Sequence, residues 1–248
     1  MLIEDAIASL QVHEVPDRAA KMRLYHKVDR AYWGISNPAI DDQARIWRQE
    51  LNLDERLKLA ADLWNTNAHE GRVCAAKLLT QARIRPDDTP AWDLLKSWVP
   101  DFDSLAIADL VCLAGHRRLN QIPKRVEEIT EWTQSPHMWT RRAAMVITLP
   151  WTKQRVPKPE EVAVREMILR WAAAYAKDQT WLIQKSVSWW LRELSRKDPE
   201  RVQRFLSEHG SKMRISARKD AARLITSLIT DDAANLKPEI DFKTQNKM

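Results

Sequence analysis

Six times along the chain a proline stands where a helix would begin: Asn37-Pro38, Thr89-Pro90, Ile122-Pro123, Ser135-Pro136, Lys158-Pro159 and Asp198-Pro199. Proline suits a first helical turn because its φ is already near the helical value and the N–H it lacks has no partner there. Apolar residues at helical spacing follow, as in Ile40, Ala44 and Trp47, and again in Leu57, Ala60, Ala61 and Trp64. With only 4 glycines in 248 residues, the chain has little material for sheet turns or phosphate-cradling loops. The expectation is an all-α fold of antiparallel helix pairs. Asn37 is expected to cap the helix that Pro38 opens, Thr89 the one at Pro90, and Ser104 the one carrying Leu105 and Asp109 on one face. A helix is expected from about Arg18 to Val28, Gly34 is expected to end a helix, the helix opened by Pro123 is expected to run through Trp132, and Gly210 is expected to close the helix opened by Pro199.

The stretch Trp181–Glu193 carries two stripes. Ile183, Val187, Trp190 and Leu194 form an apolar core face, while Trp181, Lys185, Trp189 and Arg192 mix rings with cations on a second face. Two readings of that second face stand side by side. Rings and cations suit nucleic acid; equally, Trp189 covers a neighbouring helix while Lys185 and Arg192 extend into water.

Charge is unevenly placed. Trp181 to Arg223 holds 11 basic and 5 acidic residues, an excess equal to the +6 of the whole chain, and points to a polyanion-facing surface in the C-terminal third. Cys74 and Cys112 sit in apolar helical patterns and read as small buried hydrophobes rather than a disulfide framework. Neither a signal peptide nor a membrane span is expected. Arg72, Asp109, Arg142, Lys185 and Arg218 each lie near the start of the second helix of a pair, separated by 37, 33, 43 and 33 residues. Such spacings suggest HEAT-like or armadillo-like repeats stacked into a superhelix with a concave basic face. One helical-repeat domain is expected over residues 1–230, followed by a polar, loosely held tail over 231–248.

Several chemistries lack their residues. The six histidines are scattered, the two cysteines lack paired zinc-site spacing, and no His-Glu-x-x-His, P-loop or Gly-x-Ser-x-Gly elbow occurs. No metal or cofactor is expected. Any catalysis falls to acid–base or electrostatic groups.

Five segments in order, Tyr25-His-Lys-Val with Trp33-Gly-Ile-Ser-Asn-Pro38, Leu63-Trp64 with His69-Glu70, Asp103 with Asp109, Trp139-Thr-Arg-Arg-Ala-Ala144, and Ile183 to Glu193, resemble the DNA alkylation repair family of HEAT-like-repeat alkylpurine DNA glycosylases. The resemblance runs from about Tyr25 to about Arg223. It implies a superhelix that holds duplex DNA by its phosphates and removes positively charged N-alkylated purines such as 3-methyladenine and 7-methylguanine. It further implies that Asp109 is catalytic, that Trp189 faces the lesion, that Arg142 contacts DNA and that Tyr25 lies near the same cleft. Helical position adds Lys185 and Trp139 as DNA contacts. The expected partner is duplex DNA containing alkylated bases; the chain is expected to be a cytoplasmic monomer, nucleoid-associated when bound.

The resemblance fails at one position. Where better-known members carry a tryptophan four residues before the catalytic aspartate, this chain has Leu105, with Phe102 and Trp98 as nearby aromatics. Leucine keeps an apolar wall and loses the π face. A non-catalytic helical-repeat protein that binds DNA structures or a partner protein is therefore the alternative.

Overall fold

In the computed structural model, which describes residues 1–235, side chains satisfy the free N–H groups at the starts of some helices. Asn52 and Glu55 form a reciprocal capping box, each side chain accepting the other's backbone N–H at 3.0 Å. Asp198 accepts from Arg201 N at 3.1 Å ahead of Pro199. The thirteen α-helices among the described residues are α1 (Ile3–Gln11), α2 (Pro16–His26), α3 (Asn37–Glu50), α4 (Leu53–Asn65), α5 (His69–Leu78), α6 (Thr89–Ser97), α7 (Leu105–Gln121), α8 (Val126–Ile129), α9 (Met138–Val146), α10 (Pro159–Tyr175), α11 (Trp181–Ser195), α12 (Pro199–His209) and α13 (Ile215–Asn235). No strand occurs among the described residues, and the all-α reading of antiparallel helix pairs holds.

Several boundaries differ from expectation. Ser36, not Asn37, caps α3 by accepting from Ala39 N. Thr89 is already helical, and its N–H and hydroxyl both donate to Asp87 Oδ1. Ser104 occupies the N-cap of α7 without a side-chain bond. The helix expected from Pro123 to Trp132 is instead short 3-10 and α turns. Gly210 caps α12 in right-handed conformation, and a 3-10 turn continues from it. Gly34 ends no helix: α2 stops at His26 with Lys27 left-handed at φ 55°, and Gly34 lies in the following loop at φ +71°. A Cβ on Gly34 would sit 2.2 Å from Val15 O and 2.6 Å from Ala19 N, so only glycine lets α2 lie this close to the loop.

The chain packs as two compact units, one of residues 1–151 with 158–171, the other of 152–157 with 172 onward. The polar tail expected from Asp231 meets helical backbone as far as Asn235; the remainder, 236–248, lies outside the described residues.

In the first unit tryptophans tie each helix pair to the next. Trp64 Nε1 donates to Asp101 Oδ2 at 3.0 Å, and Trp92 Nε1 donates to Glu128 Oε2 at 3.1 Å, offsets of 37 and 36 residues. A cation covers each ring: the Arg72 guanidinium lies 4.5 Å from Trp64 and that of Arg125 lies 5.6 Å from Trp92. Trp98 stacks on Trp64 and Trp132 on Trp92. Eight of the twelve tryptophans are buried, which places the aromatic excess mainly in the core. In the second unit Ile183, Val187, Trp190 and Leu194 are fully buried along α11, as the stripe predicts, each apolar side chain contributing roughly 1.5–3 kcal/mol.

Candidate functional site

Helix α7 is brought against α9 by the smallness of Gly115. A Cβ there would meet Ile147 Cδ1 at 2.5 Å. One residue further on, His116 Nε2 lies 2.8 Å from Val146 O. Along the same seam, two turns toward the start of α7, Arg142 of α9 donates from Nη1 to Asp109 Oδ1. The two ends of this pair differ. The Arg142 side chain is 2% exposed, whereas the Asp109 side chain is 35% exposed. Arg142 Nε has no hydrogen-bond partner, and its guanidinium lies 5.9 Å from the Trp139 ring, one turn earlier on α9. A buried cation thus holds one carboxylate oxygen while the group stays open to solvent. Such a carboxylate is fixed and partly desolvated, and can stabilise a positive charge brought next to it.

Asp109, Arg142 and Trp139 are therefore brought together. Tyr25, at the C-terminal turn of α2, is 81% exposed and touches His26 edge-on at 5.0 Å. Leu105 lies one turn before Asp109 and is half-buried. Neither nearby aromatic replaces the missing ring. Trp98 is buried flat against Trp64 at 4.5 Å, and Phe102 is 1% exposed.

The five charges noted in the sequence fall at the fourth or fifth residue of α5, α7, α9, α11 and α13. They are not equivalent. Arg72 and Arg142 are buried, and Arg72 is bound to the backbone oxygens of Trp64 and Asp101; Lys185 and Arg218 are exposed.

In the second unit Lys185 Nζ lies 4.7 Å above the ring of Trp181, itself 51% exposed. Trp181, Lys185, Ser188, Arg192 and Asp220 line a hollow of about 260 Å³. Arg192 and Ser188 both bind Asp220 there. Of the expected second stripe, Trp181, Lys185 and Arg192 line this hollow together with Ser188, while half-buried Trp189 does not line it. Nine of the eleven basic side chains between Trp181 and Arg223 are exposed, so the charge excess is offered to solvent.

The family motifs also have a structural centre in buried Glu70. It accepts from the backbone N–H of Trp33 (3.0 Å), Gly34 (2.7 Å) and Ile35 (3.2 Å), holding the Trp-Gly-Ile loop against α5. Beside it, the rings of His26 and His69 lie 4.4 Å apart. Burial first, then the neighbouring His26 and Arg30 charges, push His69 down to about 4; burial and Arg30 lower His26. Sequence spacing leaves these histidines unconnected, because 43 residues separate partners that only the repeat brings together. Cys74 and Cys112 are free and buried, with their thiols pushed up by burial. Among the described residues no cluster of three or more ligating side chains could hold a metal, and no helix is long and apolar enough to cross a membrane.

Fold and site together define an all-α helical-repeat protein with an arginine-held carboxylate. The model of the family described as DNA alkylation repair enzyme matches residues 6–225, and the chain belongs to that family. Among solved structures it is similar to a predicted DNA alkylation repair enzyme from Enterococcus faecalis, with TM-score 0.73 and 18% identity over 86% of this chain and 97% of that one. It is also similar to smu.31 from Streptococcus mutans UA159 and to AlkD2 from Streptococcus mutans, each with TM-score 0.61 and 18% identity over 89% of this chain and 98% of the other. At that identity the likeness is one of fold. No curated protein matches the chain.

Proposed function

We propose that the protein is a DNA glycosylase that releases positively charged N-alkylated purines, of the 3-methyladenine and 7-methylguanine type, from duplex DNA. The observation that carries this reading is the half-exposed Asp109 carboxylate held by buried Arg142. Alkylation leaves a formal positive charge on the purine, so the base departs neutral when the C1′–N bond breaks and its electron pair goes to the ring. No strong general acid is required. The charge that develops on the deoxyribose is what needs stabilising, and one fixed carboxylate does this while orienting the water whose oxygen bonds to C1′ and whose proton passes to solvent. Asp109 fills that role and Arg142 positions it.

Exposed cations of the second unit, Lys185 among them, supply phosphate contacts that release counterions and make binding salt-sensitive. Trp189, Trp139 and Tyr25 are the aromatic candidates for contact with DNA. The protein acts as a cytoplasmic monomer. A second reading, non-catalytic binding of DNA structures or a partner protein, is favoured by Leu105, because Trp98 and Phe102 are buried and leave that wall without a ring.

The test is incubation with a duplex carrying one 7-methylguanine, followed by alkaline cleavage at abasic sites. Strand breaks at the lesion support the glycosylase; salt-sensitive binding with an intact strand transfers the assignment to the second reading.

A further inference from the structure

Trp181, Lys185, Ser188 and Arg192 recur at i, i+4, i+7 and i+11 along α11 and so share one side of it. From the first to the last the helix rises about 16 Å. Ser216, Ala217 and Asp220 of α13 form the facing wall of the hollow they line, and all of these residues belong to the second unit. The frame is held firmly. Gln184, 1% exposed, reaches with Nε2 the carbonyl oxygens of Tyr175, Ala176 and Asp178 and accepts the Arg214 N–H at 2.9 Å, which ties the first turn of α11 to the residue that precedes α13.

The two ends of the hollow differ in chemistry. At one, the half-exposed Trp181 ring carries the Lys185 ammonium at 4.7 Å. An exposed cation–π contact is weak, so the ammonium exchanges readily for another flat partner. At the other, Asp220 accepts from Arg192 and Ser188 on Oδ2, while its Oδ1 lies 4.0 Å from Arg223 Nη1, beyond hydrogen-bonding range. Lys185, Arg192 and Arg223 against Asp220 leave a positive balance. A fitting ligand therefore has a flat face for the ring, an anion for the lysine and an N–H donor for Asp220 Oδ1. A nucleotide has all three. At about 260 Å³ the hollow is smaller than the roughly 300–1,000 Å³ of sites that enclose a small molecule, so it suits one unit of a longer strand lying across it. Within a duplex each base is covered on both faces and its pairing N–H groups are taken; only an unpaired base has a face for Trp181.

We propose that this hollow binds one unpaired nucleotide of a DNA strand, with the base stacked on Trp181, a base N–H donated to Asp220 and the phosphate on Lys185. The inference rests on the DNA-binding part of the function proposed above, adds a preference for unpaired strand and is independent of excision. Arg192 then acts through Asp220, holding the carboxylate in place, and the ring supplies the affinity that is blind to base identity.

The experiment titrates a short labelled oligodeoxythymidylate and a fully paired DNA hairpin with the whole chain, read by fluorescence anisotropy, alongside Trp181→Ala, Trp181→Phe and Lys185→Gln. Trp181 is 51% exposed, so its replacement leaves the core intact, and an unchanged thermal midpoint checks this. The expected result is that Trp181→Ala weakens single-strand binding about 5–150-fold, the range of one base stack, and hairpin binding by less than about twofold. Trp181→Phe recovers most of the loss, and Lys185→Gln reduces the single-strand salt slope by about 0.7. On wild type alone, a single strand carrying 5-bromodeoxyuridine is expected to photocross-link to the peptide that contains Trp181. Hairpin binding without single-strand binding, equal weakening of both by Trp181→Ala, undiminished single-strand binding by that variant, or cross-links confined to other peptides overturns the proposal. Excision assayed on the same preparation separates the two claims. Excision without single-strand binding removes the hollow and leaves the glycosylase; single-strand binding that depends on Trp181, without excision, supports the hollow and removes the glycosylase. Absence of binding to either DNA overturns both.

Discussion

Arg142 of α9 reaches across to Asp109 of α7 from a position where its own side chain is 2% exposed and the aspartate is 35% exposed. A fork of donors anchored in the core fixes one carboxylate oxygen and leaves the group facing solvent. The arrangement predicts that Arg142→Ala lowers kcat for base excision by roughly 10–100-fold, the scale seen when an outer partner of a working ligand is removed, with DNA affinity changed much less. Arg142→Lys restores charge without the planar fork and recovers activity in part. A uniform loss of DNA affinity with kcat intact would instead make Arg142 a phosphate contact.

Buried Glu70 predicts a stability effect separate from chemistry. Three backbone N–H groups lose their acceptor in Glu70→Ala. The cost is about 3 kcal/mol or more, which lowers the thermal midpoint by roughly 6–12 °C in a chain of this size. Calorimetric melts of the variant measure it, and an unchanged midpoint contradicts the role given to this loop.

His69 predicts a pH dependence with a definite sign. In the folded protein burial, with the nearby His26 and Arg30, holds its pKa at about 4, below the ordinary histidine value of 6.5. Only the unfolded chain takes up that proton as pH falls from 6.5 toward 4. The stability from neutral His69 is therefore complete above 6.5 and lost progressively below it, by up to about 3 kcal/mol. Denaturant melts across this window should show the slope in wild type and a shallower one in His69→Phe.

Leu105 sets a limit on lesion recognition. Leu105→Trp would place a ring one turn from Asp109, at a half-buried position with room toward solvent. A cation–π contact of roughly 0.5–2 kcal/mol predicts about 2–30-fold better discrimination for cationic purines. Excision rates and affinities on 7-methylguanine duplex, compared with unmodified duplex, provide the check; no change in either sinks the idea.

Much of the fold was legible because local rules decide it. Pro38, Pro90, Pro159 and Pro199 do mark helix starts, and the stripe Ile183, Val187, Trp190 and Leu194 is fully buried. Errors arise where the deciding partner is distant in sequence. Gly34 reads locally as a helix stop, but the bulk of α2 above it and Glu70, 36 residues on, make it a loop residue at positive φ. Trp98 and Phe102 look available beside Asp109 until the stacking of Trp98 on Trp64 places both in the core. A sequence signal for the long-range pairs does exist: Trp64 with Asp101 and Trp92 with Glu128 repeat one offset, 37 and 36 residues, and Arg142 with Asp109 uses 33. Among the site residues, Asp109 and Arg142 were named by resemblance, while their pairing and the burial of the arginine come from packing across the seam that Gly115 opens.

The most direct measurement is release of free purine from methylated duplex under single-turnover conditions by wild type and by Asp109→Asn, with both proteins shown to be folded and to bind DNA equally. The account predicts release by wild type and loss of roughly 100-fold or more in the variant, the scale of removing one electrostatic stabiliser of a transition state. Equal release by the two proteins would contradict it.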